Sequence, residues 1–488
     1  MKRVLVAAAI LLWAVAVAAG SKPIQPARLI KLNVVALDAQ GRPVTGLHSA
    51  DLQLQEDGKP RDIAFFRFTG GQAPPAKPVP GEYSNRAGAA PHITVVLVDL
   101  LSDRIMSDSV VGRELTDALK NLESSEDLYV YFLTPRGNLY PVRPLPKPDT
   151  VVTPAAEPWT RNIGPLMQAA IKELFGIKPV DDRDIKVRFD LTVKAMEELG
   201  GQMGEASGRK NLVWVTHGFP IYGYSISGQG RLDFTKPVQS LCEALQQAQI
   251  AVYTVDQSMA GAAEGVGTTS VETLQEFTSI TGGREYTSDR AGEAIQQART
   301  DSRANYEIAY YSTSLNSDGK HHKIRVTSGR KEVRLQTEHE FYAMVSPGGL
   351  ASDTLHSREM QREVEAAAHS PFDATDIGVR ASVSPDPGNP QNMNFEIRID
   401  AADLLPRPAQ DHEAGKVAVV FVPYGEDLNQ PSPPTTVTLT PEQFETAAHG
   451  EIRLREGLSL GPAVRQVRAI VFDAELGAVG SVMIPVHR

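Results

Sequence analysis

Asp99, Asp103, Thr216 and Asp256 stand at the ends of apolar runs, where side chains with oxygen atoms can do chemistry. Asp99 closes the run Ile93–Val98, with Ser102 and Asp103 in the same turn. Thr216-His217-Gly218 follows Leu212–Val215, and Asp256 follows Ile250–Val255. In open α/β sheets, ligands sit outside the carboxyl ends of the strands, at the switch point. Oxygen ligands gathered there suit a hard divalent cation such as Mg²⁺. The same residue types cap helix N-termini, and every strand-to-helix turn needs a cap. Capping and cation binding are therefore both open for these positions.

Other chemistries fit less well. Gly457-Leu458-Ser459-Leu460-Gly461 matches a hydrolase pattern by letters, and Asp473 and His487 follow in the Ser, Asp, His order. That chemistry needs a strained strand-to-helix elbow beside an oxyanion hole. Here another strand pattern follows, and His487 is the penultimate residue, so the match is expected to be fortuitous. The pairs Gly58-Lys59, Gly319-Lys320 and Gly415-Lys416 lack the Ser or Thr of a phosphate-cradling loop. No dinucleotide glycine pattern follows the first apolar run. His339-Glu340 lacks the second His of a zinc helix, and His321-His322 reads as a solvated strand start beside a turn.

The elements that must position the tip residues show two rhythms. Continuous apolar runs at Ile93–Val98, Tyr129–Leu133, Leu212–Val215 and Ile250–Val255 suit parallel strands covered on both faces. Helical patterns lie near Ser107–Leu122, Ile163–Leu174, Ile185–Met203, Val238–Gln249 and Val271–Thr281, and Tyr306–Tyr311 is read as the last strand of the series. Strands alternating with helices imply a parallel sheet wrapped by helices. Before this region, Leu29–Phe68 alternates in a strand-like way. It is too short to hold a core alone, and is expected to pair with His322–Thr337. After it come short strands with Pro and Gly turns, a pattern that suggests a β-sandwich.

Composition narrows the classes. With 41% hydrophobic and 22% charged residues, the 488-residue chain has ordinary globular usage. Its 49 Lys and Arg against 59 Asp and Glu give a net charge of −10, which argues against a nucleic-acid binder. Lys2 and Arg3, an apolar run from Val4 to Ala19 and a small-residue exit read as a cleaved secretory signal. One cysteine, Cys242, allows no internal disulfide and reads as a small buried hydrophobe.

Several stretches together resemble the bacterial VWFA-related family, whose central module is a von Willebrand factor type A domain. They are Val44–Lys59, Val96–Asp99, Gly208–Val215, Val252–Asp256 and Thr281-Gly282-Gly283. The resemblance covers roughly Leu29 to Tyr342. It implies a protein-binding role through a metal-ion-dependent adhesion site, with an Asp-x-Ser-x-Ser pattern, a loop Thr and a later Asp-Gly. Asp99 matches the first Asp. Leu101 and Asp103 occupy the Ser positions, and His217 stands where Asp is expected before Gly218. The implied ligand set is degenerate, since Leu101 cannot coordinate and neutral His217 prefers softer metals.

The expectation is an α/β fold: a doubly wound, mostly parallel sheet of the type A kind, flanked by β-sandwich segments. The expected layout is a signal at 1–20, a β-rich module at 28–69 and a linker at 70–91. The type A region follows at 92–315, strands returning to the first module at 316–345, a connector at 346–370 and a C-terminal sandwich at 371–488. The expected role is exported, non-catalytic protein binding, secreted or periplasmic, with an extracellular or periplasmic protein partner, no nucleic acid and no membrane span in the mature chain. Asp99, Asp103 and Thr216 are the candidate metal residues, for a divalent cation such as Mg²⁺ held weakly. The alternatives are a serine hydrolase centred on Ser459 and a structural envelope component.

Overall fold

The computed structural model describes residues 28–70, 81–86, 92–101, 115, 117–119, 128–146, 163–174, 185–204, 206, 208–216, 218, 222–224, 231–257, 267–287, 290–312, 321–342, 352–404, 415–425, 431–439 and 450–486. The signal reading at 1–20 lies outside them. So do Ser102, Asp103, His217 and His487, and most of the helical pattern at Ser107–Leu122.

The chain opens with β1 (Arg28–Leu37), β2 (Leu52–Glu56), β3 (Lys59–Arg61), β4 (Ile63–Phe68) and β5 (Glu82–Ser84). The middle holds β6 (Thr94–Asp99), β7 (Leu128–Leu133), β8 (Leu139–Arg143), α1 (Ile163–Leu174), α2 (Ile185–Gly204) and β9 (Lys210–Thr216). It continues through β10 (Tyr222–Tyr224), β11 (Arg231–Asp233), α3 (Thr235–Gln247), β12 (Ile250–Asp256), α4 (Gly267–Thr281), β13 (Glu285–Thr287) and α5 (Ala291–Arg303). Next come β14 (Asn305–Ser312), β15 (His321–Ser328), β16 (Arg334–Thr337), β17 (Glu340–Tyr342) and α6 (Ser352–His369). The last strands are β18 (Val379–Asp386), β19 (Asn389–Asp400), β20 (Gly415–Tyr424), β21 (Thr435–Leu439), β22 (Glu451–Ser459), β23 (Gln466–Asp473) and β24 (Ala478–Pro485).

The expected fold class is overturned. Among the described residues the protein is mostly β, with 46% strand against 28% helix, and five sheets are antiparallel while one is mixed. The mixed sheet runs β13-β12-β9-β6-β7-β8, and its edge strand β8 is antiparallel to β7. The expectation, a doubly wound α/β sheet flanked by β-sandwich segments, took its class from the central sheet. Continuous apolar runs are conspicuous in sequence, whereas the more numerous outer strands are short or alternate and leave a weaker signal.

Within the mixed sheet, alternate side chains enter different cores. Val95, Leu97, Leu212 and Trp214 face α2, α3 and α4, while Val96, Val98, Val213 and Val215 face α1 and α5. Helix α2 presents Phe189, Thr192, Met196, Leu199 and Met203, a three-and-four spacing that forms one apolar stripe. Phe189 stacks on Phe234 at 4.0 Å between centroids, and Trp214 meets Phe277 edge-on at 5.4 Å. Aromatic pairs in these arrangements add about 0.5–1.5 kcal/mol beyond their burial.

Strand β14 departs from the sequence expectation. It lies antiparallel between β1 and β4, in the sheet β16-β1-β14-β4, rather than in the mixed sheet. Its apolar run arises because this antiparallel sheet is also covered on both faces. Tyr306, Ile308 and Tyr310 pack with Leu32 and Val34, while Ala309 packs with Phe65 against Ile377 and Val379. Burial on both faces, not parallel pairing, is what such a run reports.

The remaining strands form a sheet β17-β15-β2-β3, a two-stranded ribbon of β10 and β11, and two facing C-terminal sheets, β22-β19-β18-β5 and β21-β20-β23-β24. Phe395 of one C-terminal sheet and Phe421 of the other meet at 5.5 Å in their shared core. Strand β5, inside the Pro- and Gly-rich stretch read as a linker, pairs with β18.

Candidate functional site

Parallel pairing sets the tip residues side by side. Val98 is in register with Val215, and Thr216 with Asp256, so β6, β9 and β12 end together. Chain order makes this a particular place. From β6 the chain passes to β7 on one flank, and later returns to β9 on the other, so connections diverge between β6 and β9. Such a divergence leaves the crevice in which open sheets hold ligands.

Asp99 and Thr216 meet across that divide. The Thr216 hydroxyl donates to Asp99 Oδ2 at 2.9 Å, and the Leu101 amide donates to Asp99 Oδ1 at 2.9 Å. The Gly218 amide donates to Thr216 Oγ1 at 3.3 Å, and the Gln257 amide to the Thr216 carbonyl at 2.8 Å. Asp99 is 2% exposed and Thr216 fully buried. Burial pushes the Asp99 carboxyl above the usual carboxylate range; the Leu101 amide, the Arg188 guanidinium and the Thr216 hydroxyl offset part of that.

The Leu101 amide bond braces the turn after β6, and together with the Thr216 bond it limits coordination by Asp99. A carboxylate offers about four lone-pair positions, of which local donors take two here. Leu101 is buried in the core beside α2 and supplies no oxygen. Among the described residues, no three His, Cys, Asp or Glu side chains gather as a metal shell. Asp256, 3% exposed, is a third oxygen-bearing strand end. Sequence reasoning missed Arg188, because a basic residue in a helix 89 positions after Asp99 carries no motif.

Two other resembling stretches, at Gly208-Arg209-Lys210 and Thr281-Gly282-Gly283, meet at the opposite end of β9. Arg209 Nη2 donates to Tyr253 Oη and to the Gly282 carbonyl, each at 3.1 Å, and Tyr253 donates to Asp301 Oδ2 at 2.7 Å. Lys210 Nζ donates to the Ala206 carbonyl at 2.7 Å, and Asn211 Nδ2 to the Ala298 carbonyl at 2.8 Å. Glu338, which accepts from the Asn33 amide of β1 at 3.1 Å, faces the Arg209 charge; burial raises its carboxyl while Arg209 lowers it. Arg209 and Glu338 thereby link the mixed sheet to β1, while Lys210, Asn211 and Tyr253 tie β9 and β12 to their own neighbours. Gly283 is sterically required, because a Cβ there would lie 1.8 Å from the Val252 carbonyl oxygen.

The hydrolase pattern does not form an elbow. Ser459 is an exposed residue at the end of β22, opposite Asn392 of β19. Asp473 belongs to the facing sheet, and its Oδ1 accepts from the amides of Glu475 and Leu476. Both residues sit in regular strand and turn geometry.

No protein-family model matches the chain, and no curated protein does. Among solved structures, it overlaps a human COPII-coat protein at 13% identity and a TM-score of 0.26, covering 61% of this chain and 52% of that one. It overlaps the PilB minor pilin of Streptococcus sanguinis at 10% identity and a TM-score of 0.28, covering 44% of this chain and 61% of that one. The pilus adhesin SpaC of Lactobacillus rhamnosus GG, in its open conformation, overlaps at 9% identity and a TM-score of 0.27, covering 78% and 66%. The chain thus spans about half to two-thirds of these proteins. At these TM-scores the overlaps assign neither a fold nor a role.

Proposed function

We propose that the protein is an exported, secreted or periplasmic, non-catalytic binding protein. It engages a protein partner through the end of the mixed sheet, where the buried Asp99 and Thr216 support the surface and Asp103 is among the residues offered to the partner. The observation that carries this reading is the buried Asp99–Thr216 hydrogen bond at the divergence between β6 and β9. It ties together the two strand ends that flank the crevice, so the turns beyond them start from a fixed base. The resemblance to the VWFA-related family supports the same surface. In this reading the stretch 92–315 is the binding region, and 28–69 with 316–345 and 371–488 are β-rich supports. Among the described residues, no helix is long and apolar enough to cross a membrane.

Any cation at the tip is held weakly. Leu101 removes one ligand of the adhesion pattern and His217 another, and Mg²⁺ sheds its waters reluctantly. Partner recognition therefore rests on protein surface more than on a shared metal ion. The test is capture from envelope extracts with immobilised wild type and Asp99→Ala, with and without Mg²⁺. The reading expects a specific partner that is retained without Mg²⁺ and lost with the substitution. A partner held equally by both proteins would place the interface elsewhere.

A further inference from the structure

Away from the sheet tip, charged groups converge where three parts of the chain meet. Arg67 of β4 pairs through Nη2 with Glu307 of β14. The same nitrogen lies 3.8 Å from Asp376 Oδ1, ahead of β18, and Nη1 lies 3.6 Å from Asp403 Oδ1, after β19. Asp403 Oδ2 also accepts from Arg86 Nη2 at 2.7 Å and from the Gly378 amide at 2.8 Å. At the rim, Arg86 Nη1 is 3.4 Å from Asp400. From the mixed sheet, Gly208 brings a Cβ position to 4.0 Å from Asp376 Oδ1. The contact thus joins the N-terminal sheet, the turn before β9 and the C-terminal sandwich, beside the apolar packing of Phe65 and Ala309 on Ile377 and Val379.

The charges do not balance locally. Three carboxylates share Arg67, whose side chain is 11% exposed, and the nearer compensating cation, Arg86, stands at the rim with 43% exposure. Lys31 of β1 and Lys210 of β9 face Asp376 from further away. Glu307 and Asp403 have close charged partners. Asp376 does not: its side chain is 15% exposed, it accepts no hydrogen bond from the described residues, and its nearest cation is at 3.8 Å. A carboxylate taken from water with so little in return favours its neutral form.

We infer that the Arg67 cluster is a proton-linked latch, which holds the C-terminal sandwich on the N-terminal sheet most firmly while Asp376 carries a proton. Ionisation of Asp376 sets a third negative charge around one guanidinium and loosens the docking. The direction follows from burial, which raises the Asp376 carboxyl above its ordinary value. The docked form then binds more protons than the undocked form between the free and docked values. Docking is complete below the free carboxylate value and weakens as pH rises through the docked one. Asp403, raised by burial against the pull of Arg86 and Arg67, acts in the same sense as Asp376. Glu307, lowered against burial by Arg67, acts in the opposite sense only below the usual glutamate range. Lys210, held down to about 8 by burial, acts in the opposite sense only above pH 8. The window lies between these limits.

The experiment is hydrogen exchange on the full chain between pH 5 and 7.5, corrected for intrinsic exchange, and read on peptides spanning Ile63–Phe68 and Ile377–Ala381. In the wild type, protection of both peptides should fall with rising pH, by up to about tenfold per unit for one linked proton. In Asp376→Asn, which keeps the shape but cannot ionise, the fall should be clearly smaller than in the wild type, the remainder coming from Asp403 and Asp373, which burial raises in the same sense. Ser459→Ala, exposed on β22, should keep the wild-type slope. A level wild type, an Asp376→Asn slope equal to that of the wild type, or loss of the slope in Ser459→Ala would each overturn the latch.

Discussion

The Thr216 hydroxyl and the Asp99 carboxylate, 117 residues apart in sequence, lie 2.9 Å apart in space and join the ends of β9 and β6. The bond has a local and a positional consequence. Locally, it gives a buried carboxylate one of its two donors. Positionally, it fixes the two strand ends between which an open sheet leaves its crevice.

Removing the hydroxyl while keeping the volume should show what the bond is worth. Thr216→Val leaves Asp99 Oδ2 buried without its donor, a loss of about 1–3 kcal/mol. Urea unfolding should show a lower midpoint at unchanged slope. The Asp99 carboxyl should also rise further, because a donor to its charged form is gone. A stability change below about 0.5 kcal/mol would mean that the bond contributes little.

The glycines of the mixed sheet divide into required and dispensable ones. A methyl at Gly283 would meet the Val252 carbonyl carbon and oxygen at 2.4 and 1.8 Å, both backbone atoms that cannot swing aside. Gly283→Ala should therefore cost more than about 4 kcal/mol or abolish soluble expression. Gly201 in α2 has open space where its Cβ would be. There the Ala substitution should stabilise by about 0.5–1 kcal/mol. Thermal unfolding of the two variants gives the contrast, and similar behaviour of both would contradict it.

Arg209 should behave as a buried structural cation. Arg209→Met strips Glu338 and Asp301 of a facing positive charge, and breaking such a buried arrangement costs about 3–5 kcal/mol. Adding Glu338→Gln should recover part of the loss, with a coupling of about 0.5–3 kcal/mol between the two sites. Strict additivity in a double-mutant cycle would show that they act independently.

Asp373 supplies a pH prediction inside the C-terminal sandwich. Burial raises its carboxyl to about 6, against the opposing pull of Arg468 at 3.8 Å. Its folded value lies above its unfolded one, so its contribution to stability is full below about pH 4 and lost as pH rises through about 6. Asp373→Asn should flatten this part of the pH–stability curve, by about 1–3 kcal/mol at 1.36 kcal/mol per unit. An unchanged curve would show that Asp373 titrates normally.

Sequence carried the buried strands of the mixed sheet and little of their surroundings. Strands β6, β7, β9 and β12 announce themselves as uninterrupted apolar runs, and Asp99 and Thr216 are legible because they end two of those runs. The same criterion misplaced β14, whose run reflects an antiparallel sheet covered on both faces. The overall class was misjudged for a related reason. Alternating strands such as β22, with every second residue exposed, leave a fainter trace than continuous ones, yet among the described residues the strands outside the mixed sheet outnumber those within it. Helix α5 was missed because its buried stripe is largely alanine: Ala291, Ala294 and Ala298 with the one large residue Ile295. Arg188 at the tip and Asp376 at the latch come from distant segments, and only the three-dimensional fold brings them to their partners.

The central claim is that the end of the mixed sheet is a binding edge whose metal site is degenerate, and calorimetry tests it most directly. Mg²⁺ and then Mn²⁺ are titrated into the wild type and into Asp99→Ala, with folding of both checked by circular dichroism. The account predicts wild-type binding no tighter than roughly millimolar, the weak end of oxygen-ligand sites, and none in the variant. Micromolar binding in the wild type that Asp99→Ala abolishes would contradict it, and would establish a competent metal site at Asp99.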